Sequence, residues 1–173
     1  MLKSLLIGAA ALTLAGCATV DVANYRAERP PLDLAEYFNG TVDGWGMFQD
    51  RSGQVIRRFT VRIDGTWDGN RGTLDEHFEF SDGEKQNRVW TLVKDGDRYT
   101  GTAGDVVGTG QGIQQGNAFN MRYVLRVPWA GRTIDVDMDD WMWRIDEQTV
   151  LNRTAMTKFG FRVGEVTLSL RKR

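Results

Sequence analysis

From Gly40 to the end of the chain, glycine, aspartate and asparagine recur in small groups at intervals of about 8–12 residues, and this punctuation restricts the fold more than any other feature. The groups are Asp50 to Gly53, Asp64-Gly65, Asp68-Gly69-Asn70, Asp82-Gly83, Asp95-Gly96-Asp97, Gly116-Asn117, Ala130-Gly131, Asp146-Glu147 and Gly160. The intervening segments are too short for the helical crossover that a parallel pair of strands requires, so the strands must run antiparallel. Asp-Gly between alternating runs is a strong hairpin signal. About nine or ten strands joined by tight turns close most simply as an up-and-down barrel. The expected fold is therefore all-β, a single antiparallel β-barrel of about 8–10 strands, with a short N-terminal helical turn.

Alternation assigns the two faces of each strand. Leu74, Glu76, Phe78 and Phe80 face in, while Thr73, Asp75, His77 and Glu79 face out. Phe119, Met121, Tyr123, Leu125 and Val127 face in, and Asn120, Arg122 and Arg126 face solvent. Ile134, Val136 and Met138 continue the interior, with Asp135, Asp137 and Asp139 outside beside the arginines.

The first forty residues are organised differently. Lys3 precedes an apolar run from Leu5 to Ala15, which ends in Leu14-Ala15-Gly16-Cys17. This is a signal-peptide layout, and the run falls well short of the ~20 residues a membrane-spanning helix needs. Leu-Ala-Gly-Cys resembles the bacterial lipobox, which implies cleavage after Gly16 and lipid on Cys17. Cys17 is the only cysteine, so no internal disulfide competes for it. Acyl chains contribute about 0.8 kcal/mol per buried methylene, so two or three make a lasting anchor. In the enterobacterial sorting rule for lipoproteins an aspartate after the cysteine retains the protein at the inner membrane. Ala18 there favours the outer membrane of a Gram-negative cell, facing the periplasm. The expected layout is a signal peptide over 1–16, a lipidated tether over 17–31 ending in Pro30-Pro31, and the barrel over 32–173. Leu34, Tyr37 and Phe38, with Asn39-Gly40 as a stop, read as one short helix or 3₁₀ turn.

A chain with net charge −1 and interleaved acids and bases is a poor partner for nucleic acid or for a polybasic-type membrane contact. Apart from Cys17 there is no thiol, there is one histidine, and no Gly-x-Ser-x-Gly elbow occurs. No catalytic residue, metal site or cofactor is assigned, and the chain is expected not to be an enzyme. His77 between Asp75 and Glu79 has the residue types of a metal or acid–base site, but carboxylates on an exposed strand fit a solvated face. Asp135, Asp137 and Asp139, with Asp140, resemble a cation site in composition. An extended strand spaces alternate carboxylates about 6–7 Å apart, and cross-strand pairing with Arg122 and Arg126 explains them better. Gly108, Gly110 and Gly112 empty one strand face, for a bend in the wall or for a ligand's approach.

The hairpin around Asp82-Gly83 is the most suggestive place. The expected register sets Glu76 opposite Trp90, Phe78 opposite Arg88 and Leu74 opposite Leu92, leaving Glu76 and Arg88 as diagonal neighbours on the apolar face. Buried charges cost several kcal/mol each to desolvate and survive when paired or liganded. They serve either as a structural ion pair or as a holder for the polar head of an amphiphile. Lys158 and Arg57 are further candidate interior cations. Six tryptophans, Trp45, Trp67, Trp90, Trp129, Trp141 and Trp143, are many for this length and suit either a core or a pocket.

Leu32-Asp33-Leu34 with Tyr37-Phe38 and Gly40 before Gly44-Trp45 resembles the entrance of lipocalin-type barrels, where the usual pattern is Gly-x-Trp. The chain also resembles the proteobacterial lipoprotein family DUF3833. The residues that carry this are Asp33-Leu34 to Gly46, the Glu76 to Arg88-Val89-Trp90 hairpin with Ser81-Asp82-Gly83-Glu84, Met121-Arg122-Tyr123, Asn152 to Thr154, Lys158-Phe159-Gly160-Phe161 and Gly164-Glu165-Val166. The resemblance implies a lipoprotein with a calycin-like barrel and no assigned activity. The expected function is a membrane-anchored, non-catalytic barrel of the cell envelope that binds an apolar or lipid-like ligand through Glu76, Arg88, Trp90, Trp45, Tyr123 and Lys158. The alternative is a structural or protein-interaction lipoprotein with a solid core.

Overall fold

Ten antiparallel strands form the wall: β1 (Gly40–Asp50), β2 (Val55–Asp68), β3 (Arg71–Phe80), β4 (Lys85–Asp95), β5 (Arg98–Thr102), β6 (Val106–Gln115), β7 (Ala118–Trp129), β8 (Arg132–Arg144), β9 (Thr149–Lys158) and β10 (Phe161–Lys172). The structure, a computed structural model, describes residues 20–173. The signal segment and Cys17 lie outside the described residues. Each strand pairs with the next in sequence, and β10 returns to β1, so the barrel is closed. Closure leaves no free sheet edge among the described strands. No described helix is long and apolar enough to cross a membrane.

The inward positions follow the alternation. Phe59, Val61 and Ile63 on β2, Leu74 on β3, Trp90 and Leu92 on β4, Phe119 and Met121 on β7, and Val136 and Met138 on β8 are all buried. Gly110 and Gly112 on β6 face inward because the space beside them is taken by neighbouring side chains. A Cβ on Gly110 would lie 2.8 Å from Met121 Cε, and one on Gly112 would lie 2.6 Å from the Phe119 ring. Gly108, with φ +70°, sits where the β6–β7 register shifts. The glycine stripe therefore admits the barrel's own core.

The hairpin expected at Asp82-Gly83 forms two residues out of the anticipated register. Its loop is Ser81-Asp82-Gly83, closed by Phe80 N–H donating to the Glu84 carbonyl at 2.9 Å and Gly83 N–H to the Phe80 carbonyl at 2.9 Å. Gly83 takes φ +87°, a conformation other residues rarely adopt. Leu74 thus pairs with Trp90, Glu76 with Arg88 and Phe78 with Gln86. A shift of two keeps every side chain on its assigned face but turns the diagonal Glu76 and Arg88 into direct partners.

One end of the barrel is sealed by the N-terminal segment. Asp33 caps α1 (Leu34–Tyr37), accepting from the Ala35 and Glu36 N–H groups at 2.9 and 3.3 Å, and its other oxygen takes Lys94 Nζ at 2.5 Å. Leu32, Tyr37 and Phe38 plug the opening against Val42, Tyr99, Phe119, Val150 and Leu170, each at most 1% exposed. Gly65 permits this approach, since a Cβ there would fall 1.7 Å from the Phe38 carbonyl oxygen.

The stretch read as a tether up to Pro31 is instead laid on the barrel from Asp21 onward. Asp21 caps a 3₁₀ turn (Val22–Tyr25) that buries Val22. The Tyr25 ring lies 6.0 and 6.2 Å from Trp141 and Trp143, themselves stacked on the outer wall of β8. Arg26 Nε donates to Gln115 Oε1 at 2.8 Å, and Leu32 N–H to the Gly116 carbonyl at 2.8 Å. The polar composition concealed an apolar pair, Val22 and Tyr25, spaced one turn apart. Asn120 on the same outer wall, expected in solvent, is buried and donates to Asp139 Oδ1 at 2.7 Å and to the Asp140 carbonyl at 3.1 Å.

Candidate functional site: a charged cluster in the barrel cavity

Between the sealed end and the opposite rim the barrel encloses a cavity of about 140 Å³. Its walls are mostly apolar, with Phe59, Trp90, Met121, Met138, Met142 and Leu168 among them, and β3, β4, β7, β8 and β9 insert polar side chains. The cluster is Glu76, Arg88, Tyr123, Asp140, Asn152 and Thr154, with Asp105 of the β5–β6 loop bonded to Arg88 from outside the cavity lining.

Arg88 is held chiefly by Asp105. Its Nε lies 3.1 and 3.0 Å from the two carboxylate oxygens and its Nη2 lies 2.7 Å from Oδ2. This two-pronged geometry is the strong form of a guanidinium–carboxylate bond. Glu76, directly across the ladder, is farther away, with Oε2 3.7 Å from Arg88 Nη1. Burial works against the Arg88 charge, but Glu76 and the Asp105 bonds outweigh it and hold its pKa above the ordinary value.

Glu76 accepts no hydrogen bond from any described residue, and its side chain is only 13% exposed. Burial pushes its carboxyl up to about 7, with Arg88 opposing and the nearby Asp140 and Asp105 adding to the rise. Asp140 is raised to about 6, again by burial, but it is better served. It accepts from Asn152 Nδ2, and the Tyr123 hydroxyl stands 3.5 Å from its Oδ2. The Tyr123 ring packs edge-on against Trp90 with centroids 5.2 Å apart, and burial moves its hydroxyl pKa well upward. At neutral pH the cavity wall thus carries carboxyls poised between charged and neutral, a property concentrated at functional sites.

Of the residues assigned from sequence, the structure brings together Glu76, Arg88, Trp90 and Tyr123. Trp45 is on the outer wall of β1, 52% exposed. Lys158 occupies the rim, with its Nζ donating to the Asp135 carbonyl and lying 4.8 Å from the Phe159 ring centre. Arg57, the other candidate cation, lies over the Phe80 ring at 3.6 Å and is bound by Asp82 and Glu84. Asp105 was not foreseen, and Asp140 was read with the acids of the outer face instead of as a cavity residue. Asp140 follows the inward positions Ile134, Val136 and Met138 at the same spacing, so alternation contained the signal. Asp105 sits in a loop, where no periodicity applies. On the outside, Arg122 pairs with Asp139 at 3.4 Å and Arg126 with Asp135 at 3.0 Å, as cross-strand reasoning expects. His77 stands on the same exterior with Asp75 3.3 Å away.

A closed antiparallel barrel with a plugged end and a small interior cavity is a lipocalin-like architecture. The chain belongs to the family described as "Protein of unknown function (DUF3833)", whose model matches residues 11–172. Among solved structures it is similar to the S-type phycobiliprotein lyase of Guillardia theta, with a TM-score of 0.57 and 14% sequence identity over 80% of this chain and 90% of that one. At that identity the likeness shows the fold alone. No curated protein matches the chain.

Proposed function

We propose that this protein is a lipid-anchored lipoprotein of the Gram-negative envelope, held at the periplasmic face of the outer membrane, whose barrel binds an apolar or lipid-like molecule without catalysis. The observation that carries the reading is the cavity, which is apolar in wall and charged at one side. That combination recognises a molecule with a polar head and an apolar tail. Its 140 Å³ compares with an engineered cavity of roughly 150 Å³ that takes up benzene, so the enclosed part of the ligand is small. Met121, Met138 and Met142, which line it, are the side chains best able to shift for a longer tail. The similarity to a phycobiliprotein lyase supports a barrel of the ligand-binding kind. Native mass spectrometry of delipidated, refolded protein offered a panel of membrane lipids tests this, and a spectrum without any surviving adduct overturns it.

The tight filling of the remaining core favours a second reading, an envelope scaffold that uses its rim as a protein-binding surface. Crosslinking in intact cells separates the two. The anchor has its own test. Cys17→Ser leaves the barrel folded but is expected to abolish membrane attachment, and normal palmitate incorporation in that variant would refute the anchor.

A further inference from the structure

The charges around the cavity specify the head group. We infer that the barrel takes a cationic head, a protonated amine carried on a short apolar tail, in preference to the carboxylate of a fatty acid. This rests on the ligand-binding reading above and narrows it.

Among the described residues the single cation of the cluster, Arg88, is already occupied: Nε and Nη2 are bonded to Asp105, and Nη1 is directed at Glu76. Two carboxyls, Glu76 and Asp105, face that guanidinium, and a third, Asp140, lines the same cavity beside Tyr123. Asp105 is bound by Arg88 and Asp140 by Asn152, but Glu76 receives no hydrogen bond from any described residue. The unused hydrogen-bonding capacity inside the cavity is thus chiefly that of an acceptor. An ammonium supplies three donors and a positive charge. A ligand carboxylate would add a fourth acid beside an arginine already bound in two-pronged fashion, where like charges repel strongly in a low-dielectric interior.

The other walls do not reverse this balance. β1, β2 and β10 contribute Phe48, Phe59 and Leu168, β9 contributes the uncharged Asn152 and Thr154, and α1 contributes Leu34. Tyr123 on β7 keeps its hydroxyl proton. Arg57 lies toward the rim and is satisfied by Asp82 and Glu84. Because burial holds Glu76 near 7 and Asp140 near 6, an arriving ammonium displaces protons. Its binding should therefore tighten as pH rises from 6 to 8.

The test uses three probes of equal tail length, hexylamine, hexanol and hexanoate, titrated into the full-length protein with methionine methyl groups labelled for NMR. The expected result is displacement of the Met121, Met138 and Met142 resonances by hexylamine at least tenfold more tightly than by hexanoate, with tightening between pH 6 and pH 8. Glu76→Gln, which keeps the shape of the side chain, should bring hexylamine down to the level of hexanol. If hexanoate binds as tightly as hexylamine, the cationic-head inference fails while ligand binding stands. Undiminished hexylamine binding by Glu76→Gln has the same consequence. If none of the three probes moves these methyls, the cavity is closed to ligands and both proposals fall.

Discussion

The two ends of this barrel are built on opposite principles. At the sealed end, apolar side chains from α1 and the flanking strands are buried almost completely, and the one charged residue buried with them, among the described residues, is tied on every side. Arg144, whose side chain is 8% exposed, donates to the carbonyls of Pro31, Asp146 and Glu147 and approaches the Tyr37 ring. At the rim, large apolar residues stand in solvent: Phe159 at 84% exposure, Phe161 at 75%, Ile56 at 63% and Trp129 at 61%. These residues belong to three neighbouring hairpins, β1–β2, β9–β10 and β7–β8. The remaining two hairpins carry Asp82, Glu84 and Asp105 instead. The sealed end supplies stability, and the cavity with its strained charges lies between that support and the open side. A site containing underserved carboxyls is tolerable because well-packed structure elsewhere offsets its cost.

The largest effect is therefore expected at the sealed end. Phe119 fills the space over Gly112 and meets Tyr99 edge-on at 5.5 Å. Phe119→Ala should lower the unfolding free energy by about 3–5 kcal/mol through lost burial and the cavity left behind, read from the denaturant midpoint. A loss below about 1 kcal/mol would contradict the contrast between the ends.

Next comes the cluster. Arg88→Met leaves Asp105 and Glu76 without their shared cation and should cost about 2–3 kcal/mol at pH 8, less than the roughly 3–5 kcal/mol of a broken, fully buried pair because Asp105 still reaches water. Adding Glu76→Gln to that variant should recover part of the loss, since it removes one stranded charge. The double-mutant cycle measures the coupling. Strictly additive effects would show that Glu76 and Arg88 do not sense each other across the 3.7 Å gap.

The barrel was legible in the sequence because its evidence is periodic. Turn groups fixed the strands, and alternation fixed the faces of Glu76, Arg88, Trp90 and Tyr123. What alternation cannot do is choose between registers two residues apart, since both keep the same faces. The Glu76–Arg88 relationship therefore waited on the loop geometry at Ser81 to Gly83. Asp105 and the residues from Asp21 to Pro31 act through loop and segment contacts that leave no repeating mark. Trp45 entered the ligand set because of its residue type, although its strand parity, opposite to that of Val42 and Phe48, places it outside.

The pH dependence of stability is expected to be smaller than either substitution. Glu76 has a folded pKa of about 7, above its ordinary 4.5. Its contribution is fully present below the unfolded value and is lost as pH rises through 7. Asp140, near 6, acts in the same sense. Asp33 is lowered instead, because its bonds to Lys94 and to the α1 N–H groups outweigh burial, so its contribution is lost as pH falls. Stability should peak in mildly acidic solution, and Glu76→Gln should remove roughly 2 kcal/mol of the decline between pH 5 and pH 8. Parallel melting profiles for the two proteins across that interval would mean that Glu76 is solvated in the folded state.

The smallest effect belongs to the rim. Phe159 adopts φ +51°, Gly160 follows at +79°, and both form the tip of the β9–β10 hairpin. Phe159 is 84% exposed, so its ring gives up little water on folding and little is forfeited when it is removed. Phe159→Asn replaces it with a residue that tolerates the left-handed conformation better, so the small loss of apolar contact is offset by a better backbone fit. The expected change in unfolding free energy is within about 0.5 kcal/mol of zero, against several for Phe119→Ala, though both changes truncate a phenylalanine. Chemical denaturation of the two variants side by side decides it. If Phe159→Asn destabilised the protein as much as Phe119→Ala, the rim would be packed in solution, and the division of the molecule into a supporting end and an open end would be lost.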